Sequence, residues 1–257
     1  MVHLRALPGS PGDRGEGLEP VIKRAVADAR ALEAGGCSAI IVENFFDAPF
    51  AKDSVPPHTI AAMTRAVLAV RRATQLPLGV NVLRNDARSA LAIAHICDAQ
   101  FVRVNVWVGA AVTDQGIIEG AARDAILYRR EIGANVAVFA DIFVKHAAQL
   151  GVGSIQDAAR DAVLRGRADA LIVTGSATGA HTSEKDLQAV KAVLPDTPLL
   201  IGSGFDAASA AALMAHADGA IAGTSLKKSA VVSEPIDIDR VRALRAAMSG
   251  ASEKSVN

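Results

Sequence analysis

Four side chains of types that transfer protons stand at or just after the ends of short apolar segments: His3, Glu43, Asp141 and Lys145. Asp141 and Lys145 are four residues apart, so we expect a carboxylate that acts as a base and an ammonium group that stabilises developing negative charge. Glu43 or His3 would act from the opposite side. For His3, a buried histidine with satisfied ring nitrogens is an equally good interpretation. The pattern predicts general acid–base chemistry.

A second group of polar side chains near the same segment ends suits ligand binding and consists of Asn44, Asn81, Arg84, Arg103, Asn105, Asp114 and Ser176. Arg84 and Arg103 suit a substrate carboxylate or a second phosphate, because a guanidinium group donates two parallel hydrogen bonds to either. Arg103 has an alternative interpretation as the partner of Glu43 or Asp141 in a buried ion pair. Removing so many ionisable groups from water costs free energy unless they are paired or functional, which favours a site.

Two glycine-containing turns have the composition of a phosphate site. Gly202-Ser203-Gly204 and Gly223-Thr224-Ser225 each follow an apolar segment. Glycine allows several backbone N–H groups to converge on an anion, and each turn also carries hydroxyl groups. An ordinary strand-to-helix turn also needs glycine, so one such turn would be weak evidence. Two of them predict that the chain binds phosphate, with the stretch 175–179 as an extension of the site or as a mobile flap.

The sequence indicates no metal site. Glu43, Asp47 and Asp141 could share a divalent ion, but no metal-ligand spacing supports this alternative. The cofactor is unknown at this level, although FMN held by its phosphate is one alternative use of the glycine turns.

These candidates are positioned by an alternation of strands and helices. Eight short apolar runs, each followed by an alanine-rich segment with helical periodicity, cover residues 1–4, 39–43, 78–82, 101–104, 136–141, 170–174, 199–202 and 219–223. Continuous apolar runs are typical of parallel strands covered on both faces. The count predicts an α/β fold, a (β/α)8 TIM barrel in a single domain over residues 1–248, with a polar tail over 249–257. A doubly wound open sheet is the alternative, but no reversal signal favours it.

The helical segments carry their own signals. An apolar stripe with helical spacing consists of Ile60, Met63, Val67 and Val70. N-caps are predicted at Asp86, Ser154 and Ser183. The glycines expected to end helices in the left-handed conformation are Gly35, Gly133 and Gly166. In a barrel, active sites lie on the loops after the strands, which is where the candidate side chains stand.

Composition excludes several classes of function. The chain has 257 residues, of which 51% are hydrophobic, and its 27 basic side chains equal its 27 acidic ones. It can bury a core, and it has no net charge to attract a nucleic-acid backbone. No run of apolar residues is long enough for membrane insertion. Cys37 and Cys97 match no disulfide or metal spacing, so we expect free thiols and a cytoplasmic protein, whose alanine-rich helices would allow packing as a homo-oligomer.

Longer segments resemble those of the BtpA/SgcQ family. They are residues 2–4 (VHL) with 7–11 (LPGSP), 41–44 (IVEN) with 47–50 (DAPF), 79–86 (GVNVLRND), 101–105 (FVRVN), 113–120 (TDQGIIEG), 144–147 (VKHA) and 223–227 (GTSLK). The resemblance covers nearly the whole chain and implies a TIM barrel similar to phosphate-binding barrel enzymes. One branch of the family is named for photosystem I biogenesis, and another is described as nucleosidases or sugar-pathway enzymes. No settled reaction and no set of catalytic residues comes with the family.

The residues and the resemblance together predict an enzyme of the hydrolase, lyase or isomerase type. Its substrate would be a small phosphorylated sugar or a nucleotide-derived compound, with no nucleic-acid partner. The alternative is a non-catalytic biogenesis or stability factor for a membrane complex such as photosystem I. That alternative requires a partner surface, and the sequence contains no basic amphipathic helix that would supply one.

Overall fold

Eleven strands and eight α-helices make up the described part of the chain, residues 1–143, 147–151, 153–175 and 182–252 of a computed structural model. The strands are β1 (Val2–His3), β2 (Ile40–Glu43), β3 (Leu78–Asn81), β4 (Phe101–Val104), β5 (Ala110–Thr113), β6 (Gly116–Glu119), β7 (Ala137–Ile142), β8 (Ala148–Leu150), β9 (Ala170–Val173), β10 (Leu199–Ile201) and β11 (Gly219–Ala220). The helices are α1 (Leu18–Ala34), α2 (Pro57–Ala73), α3 (Ala87–Ile96), α4 (Ala122–Glu131), α5 (Ile155–Arg160), α6 (Glu184–Val193), α7 (Ala210–Met214) and α8 (Ile238–Ser252).

Eight of the strands form one parallel sheet in the order β1-β2-β3-β4-β7-β9-β10-β11. Neighbours in space follow one another along the chain without a reversal, which excludes the doubly wound alternative. The sheet curls so that its two edges meet, and the backbone nitrogen of Met1 donates a hydrogen bond of 2.8 Å to the carbonyl oxygen of Ala222, just after β11. Each of these strands overlaps one predicted run, so the α/β barrel prediction is confirmed.

The interior of the curled sheet has two layers of different chemistry. The layer further from the carboxyl ends of the strands is apolar. Its buried side chains are Met1, Ile41, Phe101, Ile172 and Ile221. Side chains alternate between the faces of a strand, so the positions two residues further on point into the same interior. On β1, β2 and β4 these positions hold His3, Glu43 and Arg103, and on β7 Asp141 follows Phe139 in the same way. The alternation therefore brings ionisable groups together at the carboxyl end of the interior.

The helices pack on the outer face of the sheet and bury the larger part of the apolar core. On α2, Met63, Val67 and Val70 are fully buried and Ile60 is half-buried, which confirms the predicted stripe. Burying each of these side chains contributes about 1.5–3 kcal/mol relative to leaving it in water. This packing holds the strand ends, and with them the polar layer, in place.

The predicted N-caps are confirmed. Asp86, Ser154 and Ser183 each accept a hydrogen bond from the backbone N–H three residues further on, at the start of α3, α5 and α6. Such caps satisfy N–H groups that the first helical turn leaves without intrahelical partners. Three of the helices that follow barrel strands therefore begin where their sequences indicate.

The predicted role of glycine at helix ends is correct for one residue and wrong for two. Gly133, just after α4, has φ +64°. Gly35 and Gly166 have right-handed φ values of −81° and −83°, so their conformation does not require glycine. The space available does require glycine at both positions. A Cβ atom on Gly35 would lie 2.5 Å from Val241, and one on Gly166 would lie 2.6 Å from Nε1 of Trp107. Close packing explains these two glycines.

Three further strands form a small antiparallel sheet in the order β6-β5-β8, which we call the cap sheet and which the sequence did not predict. β5 and β6 form a hairpin after β4, and β8 joins it from the segment after β7. Because β4 and β7 are parallel, both segments leave the barrel at its carboxyl edge, and the cap sheet lies on that side. Its inner face buries Ala111 and Ile118 against Val106.

A buried ion pair fastens the segment after β11 to α1. The ammonium group of Lys227 is fully buried and donates a hydrogen bond of 2.8 Å to Oδ2 of Asp28. Oδ1 of Asp28 accepts hydrogen bonds from the backbone N–H of Ile236 at 2.9 Å and from Nε of Arg24 at 3.0 Å. Burial lowers the pKa of Lys227, and the attraction of Asp28 offsets this effect in part.

The two cysteines agree with the free thiols predicted from composition. Cys37 and Cys97 are free thiols. Burial raises the pKa of Cys97 to about 11, so this thiol is protonated at neutral pH. Among the helices described, none combines the length and the apolar character needed to cross a bilayer.

Candidate active site

His3 and Glu43 lie side by side at the carboxyl end of the barrel interior. They are register partners on β1 and β2, and Nε2 of His3 is 3.8 Å from Oε1 of Glu43. Both side chains are buried. The ring of His3 also lies against Phe45, with ring centroids 4.5 Å apart, and Phe45 is a site residue that sequence reasoning missed. A carboxylate next to an imidazole can take up and return protons.

These residues line a cavity of about 190 Å³ that also contains the predicted phosphate turns. His3, Glu43 and Phe45 form part of its wall, together with Arg103 of β4 and Asp206 after β10. All six residues of the two glycine turns line it as well: Gly202, Ser203, Gly204, Gly223, Thr224 and Ser225. One cavity thus brings together two of the four predicted acid–base groups, His3 and Glu43, and the predicted phosphate-binding residues.

The two turns, residues 202–204 and 223–225, form the predicted phosphate site, which we call the phosphate cradle. Within the part of the chain that the structure describes, the backbone N–H groups of Ser203, Gly204, Thr224 and Ser225 donate to no protein acceptor. Thr224 and Ser225 begin a short 3-10 helix, where N–H groups have no intrahelical acceptor. The N–H of Gly202 is already used, because it donates a hydrogen bond of 2.8 Å to the carbonyl oxygen of Val173.

Two serine hydroxyls connect the cradle to neighbouring loops. Oγ of Ser203 accepts a hydrogen bond of 2.8 Å from the N–H of Gly175, which leaves the hydroxyl proton available for a ligand. Oγ of Ser225 donates a hydrogen bond of 2.7 Å to the carbonyl oxygen of Phe205, so this hydroxyl braces the cradle. A side chain at position 223 would crowd the site, since a Cβ atom there would lie 3.1 Å from Cε1 of His3.

Asp141 is held in a buried ion pair with Arg103. Nε and Nη2 of Arg103 each donate a hydrogen bond of 2.9 Å to a different carboxylate oxygen of Asp141, and Nδ2 of Asn105 donates a third, of 2.8 Å. Burial disfavours the charge of Arg103, but the attraction of Asp141 and Glu43 outweighs burial and raises the pKa of Arg103. The ion pair that the sequence left as an alternative for Arg103 is therefore present.

This geometry changes the interpretation of Asp141. Both carboxylate oxygens are engaged by N–H donors, and the side chain is closed off from solvent, so uptake of a proton would break a bond to Arg103. Asp141 also does not line the cavity, whereas Glu43 does. Lys145, its predicted partner, and Ser176 lie outside the described residues. Among the described carboxylates of the mouth, Glu43 is the better placed to act as a base.

The amides of Asn81 and Asn105 support the ion pair. Nδ2 of Asn81 donates hydrogen bonds to the carbonyl oxygen of Arg103 at 3.0 Å and to Oδ1 of Asn105 at 3.2 Å. Asn105 in turn donates to Asp141, so a chain of hydrogen bonds runs from β3 to β7. Neither asparagine lines the cavity. The structure therefore places these two predicted substrate ligands in contact with the Arg103–Asp141 pair.

Arg84 and Asp114 lie at the carboxyl edge outside the cavity lining. Arg84 is buried after β3, and burial lowers its pKa, an effect opposed by the charges of Asp114, Asp141 and Glu43. Asp114 is exposed in the turn of the β5–β6 hairpin. Its influence on Arg84 indicates that this turn of the cap sheet extends toward the barrel mouth.

Asn44 and Asp47 tie together the loops after β1, β2 and β3. Oδ1 of Asn44 accepts a hydrogen bond of 2.8 Å from the N–H of Leu83, and its Nδ2 donates one of 3.1 Å to Oδ2 of Asp47. Oδ1 of Asp47 accepts a hydrogen bond of 2.8 Å from the N–H of Leu7. The side chain of Asn44, predicted to bind substrate, is thus engaged in joining loops.

Asp47→Asn tests this tie, and its effect should depend on pH. Burial raises the pKa of Asp47 above the ordinary 3.8, although hydrogen bonds from Leu7 and Asn44 oppose this. The folded protein then binds the proton more tightly than the unfolded chain, so the contribution of Asp47 to stability is largest below pH 3.8 and falls as the pH rises through the folded-state pKa. In urea titrations, the unfolding free energy of the wild type minus that of the variant should decrease from about pH 4 to about pH 7. A difference that increases over this range would contradict the assignment.

The described residues do not support a metal site. No three His, Cys, Asp or Glu side chains among them lie close enough together to hold an ion. Three carboxylates were considered for a shared ion. Of these, Asp47 accepts a hydrogen bond from the N–H of Leu7, and Asp141 accepts one from Nε of Arg103, so both are already engaged within the protein.

The curled eight-stranded parallel sheet, its outer helices and the polar cavity at its carboxyl edge define a TIM-barrel protein. Solved structures with the same fold include orotidine 5'-phosphate decarboxylase from Pyrococcus horikoshii, at a TM-score of 0.59, 15% identity and coverage of 91% of this chain and 97% of that one. Phosphoribosyl anthranilate isomerase from Thermus thermophilus matches at a TM-score of 0.57 and 13% identity, over 88% of this chain and 94% of that one. At such identities the likeness concerns the fold.

Sequence comparison identifies the family. The model of the BtpA family matches residues 1–250, so the chain belongs to the BtpA family, as its motifs indicate. It is 46% identical to the photosystem I biogenesis protein BtpA of Synechocystis sp., over 96% of this chain and 86% of that protein. It is 34% identical to the sgc region protein SgcQ of Escherichia coli, over 94% of this chain and 90% of that protein.

Proposed function

We propose that this BtpA-family protein is an enzyme that binds a small phosphorylated sugar or nucleotide-derived substrate by its phosphate group. The observation that carries the proposal is the single cavity lined by both the phosphate cradle and the His3–Glu43 pair. Backbone N–H groups without protein acceptors in the described residues would hold the phosphate. The rest of the ligand would then lie against His3 and Glu43, which would transfer protons.

The fold comparisons support this proposal. The decarboxylase and the isomerase of the same fold act, by their names, on a 5'-phosphate and a phosphoribosyl compound. In TIM barrels, a phosphate site is frequently formed by the loops after the seventh and eighth strands. The cradle occupies these two loops, because β10 and β11 are the seventh and eighth strands of the barrel.

Thr224→Pro tests the cradle by removing one N–H donor. Proline is tolerated at the first position of a helix, where Thr224 stands, so the short 3-10 helix should form. Thr224→Ala is the matched control, because it keeps the N–H and removes the hydroxyl group. We expect Thr224→Pro to weaken binding of inorganic phosphate roughly 10-fold, as a charge-assisted hydrogen bond is lost, and Thr224→Ala to weaken it less. Isothermal titration calorimetry measures both.

The wild-type result decides the main claim. Phosphate that binds to the cradle should also stabilise the folded protein, by about 2.7 kcal/mol at 100 times the dissociation constant. If neither inorganic phosphate nor any sugar phosphate binds the wild type, the proposed function is wrong. Equal phosphate affinity in the wild type and Thr224→Pro would place the anion elsewhere.

The name of the Synechocystis relative supports a second candidate function, in the biogenesis of a membrane complex. Pull-down from a photosynthetic host would recover subunits of that complex if this candidate is correct, and Thr224→Pro would leave the recovery unchanged. For either function we propose a cytoplasmic location, which the two free thiols support.

A further inference from the structure

Arg103 combines a buried ion pair with a place in the wall of the ligand cavity. Its Nε and Nη2 donate to Asp141, while among the described residues no acceptor takes a hydrogen bond from Nη1. Arg103 is buried and lines the cavity together with Glu43, His3 and the phosphate cradle. A ligand held by its phosphate would therefore meet both a carboxylate and an N–H donor that belong to the same cavity.

The ion pair makes Arg103 a rigid donor. Two parallel hydrogen bonds to Asp141 fix the plane of the guanidinium group, and Asn105 and Asn81 fix Asp141 and the end of β4 in turn. Fixed donors in a buried site stabilise negative charge that develops on a substrate oxygen more effectively than mobile water does. Asp141 neutralises the charge of Arg103. The pair therefore attracts a full anion less strongly than a lone arginine would, but its free N–H can still donate a hydrogen bond to an oxyanion that develops on the substrate.

We infer that Arg103 is a catalytic residue that binds an oxyanion formed on the substrate, and that the substrate is a phosphorylated hydroxy-aldehyde or hydroxy-ketone. The inference rests on the proposed function, because the phosphate cradle positions the ligand. Glu43 is the base that removes a proton from the carbon next to the carbonyl group. His3, 3.8 Å from Glu43, is the second group of the cavity that can transfer protons.

The step balances without any further reactant. The C–H proton passes to Glu43, the electron pair of the C–H bond forms the carbon–carbon double bond of an enediolate, and the carbonyl π electrons move to the oxygen. The resulting oxyanion accepts a hydrogen bond from Nη1 of Arg103. Glu43 then returns the proton, either to the same carbon, which restores the substrate, or to the neighbouring carbon after a proton shift between the two oxygens, which gives the isomeric carbonyl compound.

The second carboxylate of the cavity argues against a glycosidase mechanism. Double-displacement or inverting hydrolysis of a glycosidic bond needs two carboxyl groups that both face the substrate. Asp206 lines the cavity, but its Oδ1 accepts hydrogen bonds from the N–H groups of Ala208 and Ser209 and from the hydroxyl of Ser209. This carboxylate anchors the turn before α7, so Glu43 is left as the base.

Proton exchange with solvent tests the inference directly. Ribose 5-phosphate, ribulose 5-phosphate and dihydroxyacetone phosphate are incubated with the protein in D2O, and loss of the proton next to the carbonyl group is followed by 1H NMR. Ribitol 5-phosphate and glycerol 3-phosphate, which have no carbonyl group, are the matched controls and should bind without exchange. We expect exchange on a bound carbonyl ligand, slowed roughly 100-fold or more in Glu43→Gln and in Arg103→Lys.

The affinity for inorganic and organic phosphates distinguishes failure of the inference from failure of the proposed function. Arg103→Lys retains a charge for Asp141, and unchanged binding of inorganic phosphate reports that each variant is folded. A carbonyl phosphate that binds to the wild type without exchange overturns the inference and leaves the proposed function standing. If none of the five phosphates binds although inorganic phosphate does, the inference is wrong; if inorganic phosphate does not bind either, both are wrong. Exchange that persists at the wild-type rate in Arg103→Lys removes the oxyanion role from Arg103.

Discussion

Replacing Asp141 by asparagine is expected to lower the free energy of unfolding by about 3–5 kcal/mol, the usual cost of removing one partner of a buried ion pair. The variant keeps the shape of the side chain and one acceptor oxygen, but Arg103 loses the countercharge that accepts two of its hydrogen bonds. An arginine cannot relieve this cost by losing its proton. Urea denaturation at neutral pH, followed by circular dichroism, measures the change in midpoint.

A charge-free pair is the control for this prediction. Arg103→Met combined with Asp141→Leu removes both charges, and such replacements of buried pairs are often neutral or stabilising. The double variant should therefore be more stable than Asp141→Asn. The role first predicted for Asp141, that of a base, instead implies unchanged stability in Asp141→Asn. A loss of less than about 1 kcal/mol would favour that role over the ion pair.

The second large effect is expected at Asp28, which lies far from the cavity. Asp28→Ala leaves the fully buried ammonium group of Lys227 without its carboxylate and the N–H of Ile236 without its acceptor. We expect a loss of about 3–5 kcal/mol in the free energy of unfolding. The matched control is Asp28→Leu combined with Lys227→Met, in which no charge is stranded and most of the stability should return.

The loss in Asp28→Ala should depend on pH with a defined sign. Burial already lowers the pKa of Lys227 below its ordinary 10.5, and without Asp28 the pKa falls further. The unfolded chain then binds the proton more tightly than the folded protein, so stability rises as the pH increases from the folded-state pKa toward 10.5. Chemical denaturation across this alkaline range should show a steeper rise for Asp28→Ala than for the wild type. If the free energy of unfolding of Asp28→Ala does not rise more steeply with pH than that of the wild type, the ammonium group is not left buried without a countercharge.

The barrel could be predicted from the sequence because each of its strands coincides with a short run of apolar residues. Runs such as 78–82 and 199–202 are continuously apolar, as parallel strands covered on both faces must be. Polar residues at the ends of such runs must meet, since parallel strands place all their carboxyl ends at one edge. This reasoning is sufficient to place the strand-end candidates and the two glycine turns at one edge of the barrel.

The roles within the site could not be predicted, because they depend on distances across the barrel. Glu43 and Asp141 are both carboxylates at strand ends, and only the positions of Arg103 and His3 distinguish them. The cap sheet escaped prediction because its strands are largely exposed, so they lack a continuous apolar run, and because one of them is far along the chain. Apolar residues on both sides of the Asp114-Gln115 turn were the available signal. Phe45 had no comparable signal, since its role depends on contact with His3.

The contact between Asp28 and Lys227 also bears on how the barrel assembles. It joins residues 199 positions apart, and the hydrogen bond between Met1 and Ala222 joins residues 221 positions apart. Closing so long a loop costs chain entropy before the contact forms, so we expect the contact to form late in folding. Interactions absent from the transition state govern the rate of unfolding and hardly affect the rate of folding. These contacts join the first and last units of the barrel. We therefore expect that weakening them shortens the lifetime of the native state and leaves the rate of refolding unchanged.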